Sequence, residues 1–567
     1  MQRRQLSIPL AVSFLGLIMF AAPCLADPAM DRAKSIAEQA GVMGGLIVHV
    51  GCGDGVLTAA LSMDGRCVVQ GLARDAAGVA RAGEKVRAVG NYGRASVRLL
   101  DSGRLPYADE VVNVIVDEIP GTVPDKEVMR VLVPGGVHLT AQGNEWKKTV
   151  KPRSGETDEW THFLYDATNN AVSRDRVVGP PKSLRWACGP EYARSHEHLA
   201  SVSGMVSANG RVFYIVDEGP IANVHAAPDW KLVARDAYNG ILLWTRPIGL
   251  WESQVRGFRS GPVDIARRLT VHGDRLYVAP SMGDGIVVLD AATGAQVRAL
   301  ISSDGAREIL IDDDMVFVVA DDMGPEGHRR RSQWFEERAP KLTYYEYPQV
   351  AINEFGSRRL IAYSEKTGKV LWQKKDEDAA AMLPTVTAVT NGGVCLHTSR
   401  YLICLDRSTG REKWRTERLM PPSRVTWSTP TLVIADGVVL VGDRANREPA
   451  GPDVADGAWV VDNSHRYKAM PAEVIAYDIK DGRKLWQAEC FENYDCPFDV
   501  FVLGDVVWTG KVLGTSDPGF VEGRDLRTGK VVARMGNDLD YFVPGMGHHR
   551  CYRNKATERF LLTGRSG

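Results

Sequence analysis

Several things are scarce or missing in this chain of 567 residues, and each absence narrows what it can be. Charge bias is missing: 69 Lys and Arg stand against 70 Asp and Glu, which removes the electrostatic footprint of a nucleic-acid binder. Past the N-terminal segment no apolar run approaches the ~18 residues of a spanning helix, so no further transmembrane segment is expected. The nine cysteines include no CxxC pair, which disfavours zinc and leaves no metal site to assign. Neither a GxSxG elbow nor a phosphate-binding P-loop occurs, so ordinary hydrolase and NTPase chemistry has no support.

What is abundant is glycine, 56 residues, which points to many tight turns and short strands. The length suits two to four domains, and 44% hydrophobic with 25% charged residues is a soluble globular balance. The first residues pair a basic "MQRRQ" with the apolar "LSIPLAVSFLGLIMFAAP", and the small residues of "CLA" allow cleavage after Ala26. Residues 1–26 therefore read as a signal peptide and the protein as exported, periplasmic or extracellular. Pro23 before Cys24 argues for soluble export rather than lipidation. An oxidising compartment makes two cysteine pairs disulfide candidates. If Ser399 and Arg400 form a two-residue turn, Cys395 and Cys404 face each other as a non-hydrogen-bonded cross-strand pair. Cys490 and Cys496 would close a small loop; all four read equally well as buried thiols.

Residues 27–145 read as an α/β module. "GGLIVHV" is a short branched apolar strand, Gly51, Gly53 and Gly55 make a turn, and "VLTAALS" continues with helical periodicity. Further strands are expected at 66–71, 96–100, 111–116 and 136–140, giving an open, mostly parallel sheet. "VGCGDG", "VRLLDSGRLPYADEVVNVIVDE" and "EVMRVLVPGG", in that order, resemble the class I S-adenosylmethionine-dependent methyltransferases. The resemblance implies a Rossmann-like fold in which Gly51, Gly53 and Gly55 line the methionine and ribose of the cofactor and Asp101 faces the adenine amino group. Two acids of that family are missing. His49 stands before the glycines and Leu72 ends the second strand, where a carboxylate would accept from the ribose hydroxyls; Asp75 lies three residues on as a substitute. No room is expected between Thr140 and Glu159 for the antiparallel strands that complete the family's sheet, so the module is expected to be truncated.

Residues 146–180 read as a linker whose "DEWTHFLYDATNNAVSRD" caps turns or orders a ligand, with Trp160 and Phe163 buried between domains. From residue 181 to 567 a pattern repeats: an apolar pair, Asp, three residues, Gly, three residues, Trp. Asp236, Asp290, Asp406, Asp478 and Asp525, with Ser364 in the third copy, are followed four residues later by Gly240, Gly294, Gly410, Gly482, Gly529 and Gly368. Trp244, Trp372, Trp414 and Trp486 close four copies. Asp opens a hairpin turn by accepting from amides ahead of it, and Gly completes it at positive φ. With another strand pair before each turn, the copies describe propeller blades, the tryptophans packing between neighbours. The pattern resembles the PQQ-type repeat of quinoprotein dehydrogenases and of related propellers that bind no cofactor. That family's enzymes stack the quinone on a ring of adjacent cysteines, which this chain lacks, so PQQ with calcium is disfavoured. Six turns and the apolar stub in "RFLLTGRSG" lead to an expectation of seven or eight blades, the last incomplete here, and the resemblance favours eight. Two long insertions, "PEGHRRRSQWFEERAPKLTYYEYP" and "RANREPAGPDVADGAWVVDNSHRYKAMP", lie on one face. His196 and His198, and His548, His549 and Cys551 beside Arg550, Arg553 and Lys555, read as loop residues, with an anionic sugar or phosphate site as the alternative.

The sequence thus leads to a multidomain protein, Rossmann-like α/β followed by an all-β PQQ-type propeller. Its expected role is binding or scaffolding a protein or glycan partner, with no cofactor held. The alternatives are an S-adenosylmethionine-dependent methyltransferase using Gly51, Gly53, Gly55 and Asp101, and a PQQ-dependent dehydrogenase of alcohols or sugars.

Overall fold

The computed structural model describes residues 28–562 except 43, 63–64, 144, 181, 190–201, 222–228, 250–265, 282, 325, 328–356, 419–422, 425–430, 445–459, 462–469, 493–499, 512–519 and 537–554. The first module runs α1 (Pro28–Ala40), β1 (Gly45–Val50), α2 (Val56–Ala60), β2 (Cys67–Ala73), α3 (Ala76–Ala88), β3 (Ala95–Leu99), β4 (Val112–Asp117), α4 (Asp125–Val131), β5 (Leu132–Gln142) and β6 (Glu145–Val150). Its sheet has the order β3-β2-β1-β4-β5-β6. The first five strands are parallel, which a branched run such as "VNVIVD" favours, because parallel strands are covered on both faces. Val48, Val69, Leu72, Ile115, Val116, Leu132 and Leu139 are fully buried there.

The expectation of no antiparallel strand after Thr140 is corrected. A turn at Gly143, φ 62°, reverses the chain, and β6 pairs antiparallel with β5 from Val137↔Val150 to Gln142↔Glu145. This strand needs little apolar content, because it is an edge: Glu145, Lys147 and Lys148 are exposed, a charge pattern that discourages further pairing.

Among the described residues, the part after β6 is mainly β-structure, with a short helix at Glu377–Ala380. Six four-stranded sheets, at 202–247, 269–299, 306–374, 382–417, 431–492 and 501–536, each hold four strands antiparallel to their neighbours in sequence order. A three-stranded sheet joins Lys555–Thr557 to Leu561–Leu562 on one side and to β7 (Val172–Ser173) on the other. Each blade packs its apolar faces on the next. One such cluster holds Phe213, Leu232 and Trp244 of the first blade with Leu269, Leu276 and Leu289 of the second. Another joins Cys395, Cys404 and Trp414 of the fourth to Val439, Ile475 and Ile479 of the fifth. Among the described residues no helix is long and apolar enough to cross a membrane.

Candidate functional site

In doubly wound sheets, ligands bind at the carboxyl ends of the parallel strands. Here the glycine loop follows β1 at that edge. Gly51, Gly53 and Gly55 have φ values of 80°, 53° and 85°, which side chains other than glycine rarely adopt. A Cβ on Gly51 would stand 2.9 Å from the Ile119 side chain, and one on Gly55 would stand 2.7 Å from the Ala82 carbonyl of α3. Gly55 thus serves close packing of helix on helix. Gly53 faces open space. The amides of Gly51 and Cys52 both donate to Leu72 O, at 3.0 and 3.2 Å, which pulls the loop onto the end of β2. Burial raises the Cys52 thiol pKa to about 11, so it stays protonated at neutral pH.

The two positions without acids are occupied by Leu72 and His49. Leu72 is fully buried, and Asp75, three residues on in the chain, is the N-cap of α3, accepting from Gly78 N at 2.7 Å. His49 is 1% exposed; its Nδ1 lies 2.9 Å from Thr58 Oγ1 and its Nε2 3.6 Å from Glu118 Oε2. Arg32 of α1 approaches the other oxygen of Glu118 at 2.6 Å. Burial raises the Glu118 carboxyl, but His49 and Arg32 together outweigh it and hold the group below the ordinary carboxylate range. This edge therefore carries a chain of contacts, Arg32–Glu118–His49–Thr58, in which His49 Nδ1 pairs with Thr58 while His49 Nε2 and Glu118 Oε1 have no hydrogen-bond partner among the described residues. Asp101 is exposed in the loop after β3.

The propeller residues converge repeatedly. Asp236 Oδ1 accepts from Tyr238 N and Asn239 N at 2.9 and 3.0 Å. Asp290, Asp406 and Asp525 do the same, each also taking a threonine hydroxyl, and Asp478 accepts from Lys480 N. The glycine amide then returns to the carbonyl of the turn's first residue in all six copies, with φ between 69° and 73°. Each indole crosses to the following blade: Trp244, Trp372, Trp414 and Trp486 donate to Ala291 O, Arg407 O, Ile479 O and Leu526 O at 2.8–3.0 Å. Their rings lie where a Cβ on Gly294, Gly410, Gly482 or Gly529 would stand. Two residues outside the sequence expectation complete the series. Trp186 packs on Gly240 and donates to Ala237 O, and Arg298, at the tryptophan position of the second copy, packs on Gly368 and donates to Glu365 O. The carbonyl is always the one three residues before the glycine.

Residues 228–487 match the family model described as outer membrane protein assembly factor BamB, of the PQQ_2 repeat type. That segment is a PQQ-like repeat domain. Among solved structures, BamB from Moraxella catarrhalis aligns at 15% identity over 59% of this chain and 76% of that one, with a TM-score of 0.32. The α/β module aligns with a candidate S-adenosyl-L-methionine-dependent methyltransferase from Methanococcus maripaludis at 19% identity, covering 20% of this chain and 54% of that one, TM-score 0.19. Geranyl diphosphate C-methyltransferase from Streptomyces coelicolor A3(2) gives 20% identity over 19% and 44%, TM-score 0.19. The chain thus spans about half the length of these methyltransferases. No curated protein sequence matches it.

The PQQ-like domain holds the α/β module through its first turn. Asn113 of β4, 6% exposed, donates from Nδ2 to Asp236 Oδ2 at 2.6 Å, and its Oδ1 accepts from Asn239 Nδ2 and Leu46 N, both at 2.8 Å. Asn239 also donates to Val111 O. Of the expected disulfide partners, Cys395 and Cys404 face each other across the turn at Ser399 and Arg400, both buried and both thiols here. Cys490 is buried, and Cys496 lies outside the described residues. So do His196, His198, His548, His549, Arg550, Cys551 and Arg553, and nearly all of both insertions; Lys555 begins the hairpin after the sixth blade. Among the described residues no group of three or more His, Cys, Asp or Glu is placed to hold a metal. Trp160 and Phe163, expected between the domains, instead pack among the β-sheets, against Phe501, Leu503, Trp508 and Ala556 of the sixth four-stranded sheet and the hairpin after it. Their segment sits among the inner strands because it makes main-chain hydrogen bonds to them.

Proposed function

We propose that this protein is an exported scaffold, periplasmic or extracellular, whose propeller binds a protein partner and whose methyltransferase-like module no longer uses S-adenosylmethionine. The observation that carries the reading is the cofactor edge. The ribose would meet the apolar Leu72, and the substitute carboxylate, Asp75, is committed to a helix cap. His49 is tied into a chain with Thr58 and Glu118. A ribose hydroxyl left without its acceptor costs about 1–3 kcal/mol, enough to weaken binding by one to two orders of magnitude. The assembly factor named for the matched repeat family supports a protein partner rather than a glycan. No PQQ is assigned, because the sequence has no adjacent cysteines to stack it.

Isothermal titration of the full chain with S-adenosylmethionine tests the reading. It should give no binding tighter than roughly 100 μM, and micromolar binding would reinstate the methyltransferase. The mature protein recovered from its source cells should begin at Asp27; a chain retaining Met1 in the cytoplasm would refute export.

A further inference from the structure

The innermost strand of a propeller blade has one edge without a strand partner, so its main-chain groups at the axis need acceptors and donors from elsewhere. Here they come from a single segment. Ser207 N donates to Trp160 O at 2.7 Å, Val271 N to Thr161 O at 3.0 Å, and Ile311 N to His162 Nε2 at 2.9 Å. Val389 N then reaches Ala167 O at 2.8 Å, Ile434 N Thr168 O at 3.0 Å, Val502 N Asn170 Oδ1 at 3.0 Å and Ala556 N Ala171 O at 2.8 Å. The acceptors advance along the chain in the same order as the six blades and the hairpin that follows them.

The donors are one structural position repeated seven times. Each is paired, in its own hairpin, with the residue five places on: Ser207↔Val212, Val271↔Leu276, Ile311↔Val316, Val389↔Val394, Ile434↔Val439, Val502↔Val507 and Ala556↔Leu561. A peptide that meets one equivalent amide per blade, in order, must run around the axis. Side chains bridge where the main chain does not reach. Asn169 Nδ2 donates to Thr387 O and Leu432 O, in the fourth and fifth blades, while its Oδ1 accepts from Arg267 of the second. Asn170 pairs with both main-chain groups of Val502. Tyr165 and Asn169, with φ of 73° and 62°, turn the path. Its two ends clasp each other: Arg176 N donates to Glu156 O, and Asp158 Oδ2 accepts from Arg174 N and the Tyr165 hydroxyl.

We propose that residues 156–176 are the propeller's own axial ligand, a peptide strap that binds the six described blades and the hairpin after them at their centre and takes up the place a small molecule would otherwise occupy. A partner then engages the propeller from its rim and loop faces. The strap is a binding element of the ring, and the covalent links at its ends are dispensable for its retention.

The test uses the full chain with one specific protease site inserted after Gly155 and another after Gly179, both in exposed stretches. After both cuts the freed 156–179 peptide should co-elute with the propeller in native size-exclusion chromatography. Elution of the peptide at its own small size overturns the proposal. Amide exchange on the uncut Asn170→Leu variant gives a second readout. If the strap is one unit, exchange at Ile434, Val389 and Ala556 accelerates along with Val502, by about tenfold or more. Acceleration confined to Val502 would mean separate local contacts and also overturn it.

Discussion

His162 shows how much one side chain can be made to do. Its Nε2 accepts from Ile311 N, so the ring proton sits on Nδ1 and donates to Thr161 Oγ1, whose own hydroxyl donates to Tyr165 O. Burial, with the charges of His272 and Arg267 added, depresses its pKa to about 3. In the unfolded chain the imidazole titrates near its ordinary ~6.5. Between these values the unfolded state binds the extra proton, so the stabilisation is fully present above pH ~6.5 and is lost as pH falls toward 3. The slope from this group approaches about 1.4 kcal/mol per pH unit in mid-range. His162→Gln can still accept from Ile311 N but does not titrate. Urea midpoints measured at pH 7 and pH 4.5 should fall further for the parent than for this variant; equal falls would show that His162 does not carry the dependence.

At the scale of elements, the inter-blade joint explains which parts of the fold were legible in the sequence. The Asp and Gly of each turn act on amides two to four residues away, and such local chemistry leaves a fixed spacing that can be read directly. The tryptophan reads as an inter-blade residue because it recurs. Arg298 does not, because nothing in "GAQVR" says that a guanidinium will reach the same carbonyl as an indole. Nor does the strap: five of its seven acceptors are main-chain carbonyls, which any sequence supplies, and only the density of Asn and Thr hints at it. β6 escaped because an exposed edge strand carries no strong apolar alternation. A pair of substitutions isolates the joint. Gly273→Ala imposes only the cost of a positive φ, 54°, in open space, about 1–2 kcal/mol. Gly482→Ala has a similar φ, 73°, and also drives a methyl group into the Trp414 ring. It should lower the denaturant midpoint clearly more than Gly273→Ala, by a further ~1–3 kcal/mol. Equal effects would mean that the indole yields freely and the joint is loose.

For the whole molecule, the question is what couples the α/β module to the propeller. The Asn113 carboxamide answers it chemically. Buried between β4 and the first repeat turn, it donates to Asp236 and accepts from Asn239 and Leu46, so both of its ends are used. Asp236 is 5% exposed, and burial raises its pKa even though Asn113 and the turn amides favour the charged form. Asn113→Ala should cost about 1–3 kcal/mol by leaving buried polar groups unpaired. Asn113→Asp is more informative, because it keeps the volume and places a second carboxylate against Asp236. At pH 7 the two repel, and the module should melt separately from the propeller in calorimetry. As pH falls below neutral, one proton shared by the pair removes the repulsion and restores the bond, so the two transitions should merge again at acidic pH. The parent should show one coupled transition at neutral and acidic pH alike. If Asn113→Asp melts like the parent at pH 7, the modules are joined by something other than this amide. If it stays split at low pH, the loss is one of shape and not of charge.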